Sequence, residues 1–363
     1  MKKIDIYVVQ QFIYLLGTSL LGFIVIFLVV DAVENMDKFI DAEVPKNIIL
    51  SYYFHSLPWF ISIGLPMSVL VSTIFTVGFF SKRNELTAMK ASGVSLYRIA
   101  MPMILCSILI SGISFFFEDQ IVTIGNQKRR SIEKEYFIKS RNKSYSTKKQ
   151  DIFLRKSDDF HIAIDRYTPR TKKAAGVVIH FMNDGKLVKR IDASTMAWLK
   201  KEKKWRFNTF AIRDFHQDGF ETAVHFSRKD TTLSINFSPD DLSRQAISPQ
   251  EKNYLELKSF IADLNNNGVD TTRWEVNLYG KISFAFTNVI VVLFAFPLVA
   301  FKPKTGLAFG AGMSVFVIFG YYAFIRFGQT LGYKGILEPL LSAWIGNIIF
   351  CLGGILLLIT ARK

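Results

Sequence analysis

The 363-residue chain carries 45 lysines and arginines against 30 aspartates and glutamates, a formal charge of +15, yet half its residues are apolar and its mean hydropathy is positive (+0.24). The apolar residues sit in long uncharged runs near both ends while the middle holds most of the cations, a division that separates membrane from water rather than describing one soluble domain. It also argues against nucleic acid, whose modules present a basic soluble patch without long apolar runs, so membrane phosphates are the fitting counter-charge.

The N-terminus, MKKIDIYVVQQFIYLLG, starts like a signal peptide, but its apolar region is too long and no small-residue cleavage site follows, which predicts an uncleaved first span. A span needs about 20 mostly apolar residues, and residues 12–30 (FIYLLGTSLLGFIVIFLVV) supply them without a charge. A second run, 49–80, exceeds one crossing and contains Pro58 and Pro66, so a tilt or kink is expected. A third covers 98–117, and three more follow at 278–300, 306–327 and 339–360. Six spans in a three-plus-three arrangement result. Cys106 and Cys351 lie inside these runs, which gives neither a disulfide framework nor metal-ligand spacing.

Orientation is read from short loops. Lys2 and Lys3, then Lys82, Arg83, Lys90 and Arg98, then Lys302 and Lys304, then Arg362 and Lys363 fall on one side, the expected cytoplasmic side, and the acidic loop DAVENMDKFIDAEVPK lies opposite. The expected division is therefore residues 1–118 for helices one to three, 119–275 for a domain outside the cytoplasm and 276–363 for helices four to six, in a multi-pass membrane protein. Segments such as DIFLR at 151, FHIAI at 160, GVVIHF at 176, WRFNTFAI at 205 and TAVHF at 222 alternate like half-buried strands. Asn183-Asp184-Gly185 marks a tight hairpin turn. An antiparallel sandwich or jelly roll is the expected outcome.

Enzyme signatures fail in turn. No Walker loop is present. Ser140-Arg141-Asn142-Lys143 and Lys304-Thr305-Gly306 imitate two penicillin-binding motifs, but the third is missing and the topology puts these two on opposite membrane faces. His55, His161, His180, His216 and His225 show no metal-binding spacing, and none is assigned a catalytic role.

The most informative segment is SKRNELTAMKASGVSLYR at 81–98. It begins as a charged helix with Glu85, Leu86, Met89 and Lys90 at helical spacing, and Gly93 supplies the stop. It reads either as a solvated connector or as a short cytoplasmic helix, about 82–93, presented to a partner with Glu85 available to pair with a base.

NELTAMKASGVSLYRI resembles the cytoplasmic segment of the LptF/LptG permease family of the lipopolysaccharide exporter. The ending VENMDKFI of the first helix, the entry PKNIILSYYFHSLP, the strand pair AWLKKEKKWRFNTFAIRDF and three C-terminal spans extend the resemblance over essentially the whole chain, the first half looking more like LptG. The resemblance implies a non-catalytic permease subunit of an ATP-driven exporter, with six membrane helices and an inserted periplasmic jelly-roll-like domain. Its implied partners are the cytoplasmic ATPase LptB, which would bind the ATP, a second permease subunit (LptF or LptG), LptC, the bridge protein LptA and lipopolysaccharide. Glu85, Leu86, Met89, Lys90 and Gly93 would form the coupling helix, and helices one and five the lateral gates. Where LptG members place a phosphate-contacting lysine this chain has Asp31, and Lys38 is the replacement candidate. Arg326, in the fifth span, either snorkels to the interface or meets a lipid phosphate, and Gly306, Gly310 and Gly312 permit close packing on that helix. A permease that transmits motion without moving lipid, and a membrane-anchored envelope enzyme, are the alternatives.

Overall fold

The computed structural model describes residues 3–137, 149–157, 160–168, 171–183, 186–199, 202, 204–215, 221–227, 231–233, 239, 249–266, 270–300 and 307–360. They form two compact units. The helical unit comprises Met1–Phe137, Asn253–Leu255 and Thr272–Lys363, and the β-rich unit Ile138–Lys252 with Glu256–Thr271.

The helical unit contains α1 (Lys3–Asp41), α2 (Lys46–Lys82), the short α3 (Glu85–Ala91), α4 (Leu96–Phe116) and α5 (Thr123–Ile132). After the β-rich unit and α6 (Tyr254–Asn266) come α7 (Thr272–Ala300), α8 (Leu307–Tyr333) and α9 (Pro339–Thr360). Among the described residues, six helical stretches are long and apolar enough to cross a membrane: α1, α2, α4 continued through α5, α7, Gly312–Tyr333 of α8, and α9. With 39 and 37 residues, α1 and α2 are each about 55–60 Å long at 1.5 Å per residue, so they outrun a hydrocarbon layer of about 30 Å.

α2 forms the centre and α1 the flank: 67% of the apolar window of α2 is buried against 6% of that of α1. Small residues make that centre possible. Ser56, Ser68, Ser72 and Thr73 are buried on α2 and donate their hydroxyls to carbonyls three or four residues earlier, so the polar groups are satisfied within the helix while neighbours approach closely. Val69, Ile74 and Phe80 pack there with Ile99 and Met103 of α4 and Val292 and Phe296 of α7. α2 continues through Pro58 and Pro66 as one helix.

The helix expected over 98–117 runs on. A π-helical turn, Phe117–Val122, joins α4 to α5, and a second covers Glu133–Phe137. The helical unit therefore extends past the boundary expected at residue 118. The first π-turn is tied down by its acidic pair: Glu118 accepts the Ser62 hydroxyl, and Asp119 pairs with Lys281 of α7 at 3.8 Å and accepts the Tyr254 backbone N–H at the start of α6.

The β-rich unit holds β1 (Lys149–Ser157), β2 (Phe160–Thr168), β3 (Lys173–Asn183), β4 (Lys186–Leu199), β5 (Lys204–Phe215), β6 (Glu221–Ser227) and β7 (Thr231–Leu233). β1 to β6 neighbour one another in chain order, every pairing antiparallel, and β7 pairs with β5. This is a meander; the crossovers of a jelly roll do not occur among the described residues. Asn183 pairs with Lys186, as the expected hairpin requires, while Asp184 and Gly185 lie outside the described residues. Ser140–Lys143, Lys304–Gly306 and His216 also lie outside them.

One sheet face is apolar, with Ile162, Ile164, Val177, Ile179, Ile191 and Phe210 buried together. Gly176 has a φ of +62°, and a side chain there would run into the Asp165 carboxylate. The alternation shifts at this point, so that Tyr167 and Ala174 take the buried side beyond it. The paired tryptophans of the sequence, Trp198 and Trp205, are register partners with ring centroids 5.0 Å apart, edge to face.

Candidate functional site

The short α3 is framed by two left-handed residues. Asn84 enters it with a φ of +61°, and Gly93 closes it with a φ of +82°. The Gly93 N–H donates to the Lys90 carbonyl and the Val94 N–H to the Met89 carbonyl, the two bonds of a Schellman cap. Leu86 is 3% exposed, and Met89 and Val94 pack with it against the helical core. Burying the leucine alone is worth about 2 kcal/mol, enough to seat a helix of seven residues that would not persist in water by itself.

Of the five residues expected to couple to a partner, Leu86 and Met89 therefore anchor the helix and Gly93 shapes its end. Glu85 is held from inside: the Tyr7 hydroxyl donates to Oε2 at 2.9 Å, and Arg83 lies 3.8 Å from Oε1. Its side chain retains 27% exposure. Tyr7 is stacked on Phe80, with centroids 5.4 Å apart. Lys90 is exposed, and so are Thr87, Ala88, Ala91 and Ser92, which together form the outward face of the turn. Beside it, the buried Asp5 of α1 accepts from Arg98 of α4 at 2.7 Å. The i, i+3 spacing of Leu86 and Met89 signals anchoring; the tyrosine clamp from residue 7 has no local signal.

Lys38 and Arg326 have separate surroundings. Lys38 donates Nζ to Asn35, which donates to the Asp31 carbonyl at 2.9 Å. Near this turn of the bundle, Phe39 packs on Tyr52 and Tyr53. The Tyr52 hydroxyl donates to Glu133, and Glu133 pairs with Arg129 at 3.6 Å. The Arg129 guanidinium lies 5.1 Å from the centre of the Trp59 ring. Arg129 and Glu133 were missed in the sequence because they occupy the helical continuation beyond 118. Arg326 is exposed on α8 and donates to Gln329 at 3.1 Å.

His161 and His180 face each other across β2 and β3 and are both buried. Burial, then the neighbouring Arg190, pushes His180 down to about 4, so it is neutral at pH 7.

The chain matches, over residues 6–360, the sequence model of the family described as lipopolysaccharide export system permease LptF/LptG. It belongs to that family. Among similar proteins are LptG of Escherichia coli K12, 22% identical over 305 residues covering 83% of this chain and 82% of that one, and LptF of the same strain, 21% identical over 343 residues covering 90% and 86%. LptG of Haemophilus influenzae is 21% identical over 305 residues, 81% of each chain. As a member of this permease family the chain is a multi-pass membrane protein. Several of its membrane helices expose apolar side chains, Leu109 and Ile113 on α4 and Leu356 and Ile359 on α9 among them; the two with the least buried apolar windows are α1, which exposes Leu21, Val25 and Val29, and α8, which exposes Phe316, Phe319 and Phe327.

Proposed function

We propose that this chain is one permease subunit of an ATP-driven lipopolysaccharide exporter of the inner membrane, working with a second permease subunit, LptC, the separate ATPase LptB and the bridge protein LptA. It is non-catalytic; ATP is bound by LptB. The β-rich unit lies in the periplasm and α3 in the cytoplasm, the arrangement that the cationic short loops favour. The observation that carries the reading is the family match over residues 6–360. α1 and α8, whose apolar windows are the least buried of the membrane helices, support it, since a lipid with several acyl chains needs such walls beside an open lateral path. Lys38 and Arg326 are the contacts for lipid phosphates on those two helices.

α3 is the coupling helix, and the clamped Glu85 orients its exposed face toward LptB. Glu85→Lys would lose the Tyr7 bond and set a cation beside Arg83. Co-purification of LptB and lipopolysaccharide release should both fall while membrane insertion is unchanged; undiminished LptB recovery would defeat this role. Photocrosslinkers at Val25 and Phe319 should capture lipopolysaccharide during ATP turnover. A chain that only transmits motion, or an envelope enzyme, would capture none at either position.

A further inference from the structure

The sheet face opposite the apolar core carries a cluster of a different kind. Beyond the Gly176 shift, two cross-strand rows lie side by side. Arg166, Ala175, Thr195 and Asn208 are successive register partners in one, and Thr168, Lys173, Ala197 and Arg206 in the other. Residues two apart on a strand share a face, and neighbouring strands are about 4.8 Å apart, so these side chains tile one continuous patch. The two alanines keep its middle low while longer side chains rise around it. A recess of about 380 Å³ results, and no carboxylate lines it among the described residues. Arg166, Lys173, Thr195, Arg206 and Asn208 are exposed.

We propose that this recess binds a phosphorylated saccharide, the phosphosugar portion of the exported lipopolysaccharide. Two guanidiniums and one ammonium supply charge-assisted donors suited to phosphate oxygens, the guanidiniums as two-pronged forks. The neutral groups point to more than a bare anion. Thr168 and Thr195 hydroxyls both donate and accept, and Asn208 does so through its carboxamide, which is the complement of sugar hydroxyls. The volume falls in the range of small-ligand sites, about 300–1,000 Å³. The sheet thus separates two chemistries: aliphatic and aromatic side chains on one face and a polar, cationic floor on the other. The identity of the saccharide rests on the export reading; the phosphosugar chemistry of the recess does not.

The test uses the full chain in nanodiscs of zwitterionic lipid. Glucose 1,6-bisphosphate binding is measured by equilibrium dialysis, with glucose and inorganic phosphate as competitors. The expected result is saturable binding, weakened about ten-fold or more in Arg166→Gln/Lys173→Gln, and retained in Arg166→Lys/Lys173→Arg, which keeps the charges and controls for folding. Absence of binding, equal binding by the glutamine variant, or displacement by inorganic phosphate as effective as by the bisphosphate itself would overturn the proposal. Crosslinking of lipopolysaccharide at Val25 is scored in parallel. Capture there without bisphosphate binding removes the recess and leaves the export reading standing. Bisphosphate binding without capture keeps the recess as a phosphosugar site and removes its assignment to an exported lipid.

Discussion

His180 provides the sharpest test of the β-rich unit, because its charge state is set by burial. It has no exposed surface, faces His161 on β2 and Arg190 on β4, and neighbours Asp192, which is already engaged by Arg190 at 2.8 Å and Arg213 at 3.2 Å. The folded-state value of about 4 compares with about 6.5 in an unfolded chain. The folded value is depressed, so between about pH 6.5 and 4 the unfolded state binds the extra proton. The stability contribution is complete above about pH 6.5 and is lost as pH falls toward 4. The difference of about 2.5 units corresponds to roughly 3 kcal/mol, or about 300-fold in the opening equilibrium. Hydrogen-exchange mass spectrometry of β2 to β4 in the intact chain, corrected for intrinsic rate, should show protection falling by up to about ten-fold per pH unit across that window. His180→Leu, similar in volume and unable to titrate, should flatten the dependence. An equal slope in the leucine variant would refute the assignment to this side chain.

Three further outcomes follow from contacts in the helical unit. A Cβ on Gly328 would lie 2.5 Å from the Ser342 carbonyl oxygen and against Ile345, so Gly328→Ala should force α8 and α9 apart and cost about 2–3 kcal/mol. A clear drop in melting temperature is expected, and none in Gly312→Ala, whose site has nothing within 4 Å. Gly93→Ala meets no atom within 4 Å but keeps the left-handed φ, so it should cost about 1 kcal/mol, read as roughly five-fold faster exchange in α3, with Gly93→Asn milder. The Asp5–Arg98 pair, with side chains 8% and 43% exposed, should contribute about 1–2 kcal/mol; strictly additive melting shifts for Asp5→Asn and Arg98→Gln would show that it contributes nothing.

The engagement of Glu85 changes how the segment proposed to couple is understood. Read as a string, NELTAMKASG offers a free acid at its start and a row of candidate contacts behind it. In the fold the acid is bonded to Tyr7, 78 positions away, and Leu86 and Met89 face the core. The exposed residues of the segment are Asn84, Thr87, Ala88, Lys90, Ala91, Ser92 and Gly93. Nothing in the segment itself reports this, because the clamp is a long-range contact.

Much of the architecture was determined by local chemistry. Apolar runs of membrane length specify the six crossing helices, and alternation with turn residues specifies strands, since both patterns follow from periodicities of 3.6 and 2 residues. Gly93 ends α3 because a left-handed residue is needed there, which a sequence states openly. The continuation of α4 into α5 was hidden, because Glu118, Asp119 and the charged residues after them look like a loop until Ser62, Lys281 and the Tyr254 N–H supply their partners. The strand order was hidden as well: alternation shows that a strand has two faces but not which strand lies beside it. The burial of His161 and His180, the outward rows of Arg166 and Lys173, and the central place of α2 all depend on packing between segments distant in the chain. Only the tertiary structure decides those, because the free energy of burial belongs to surfaces that meet, not to residues taken singly.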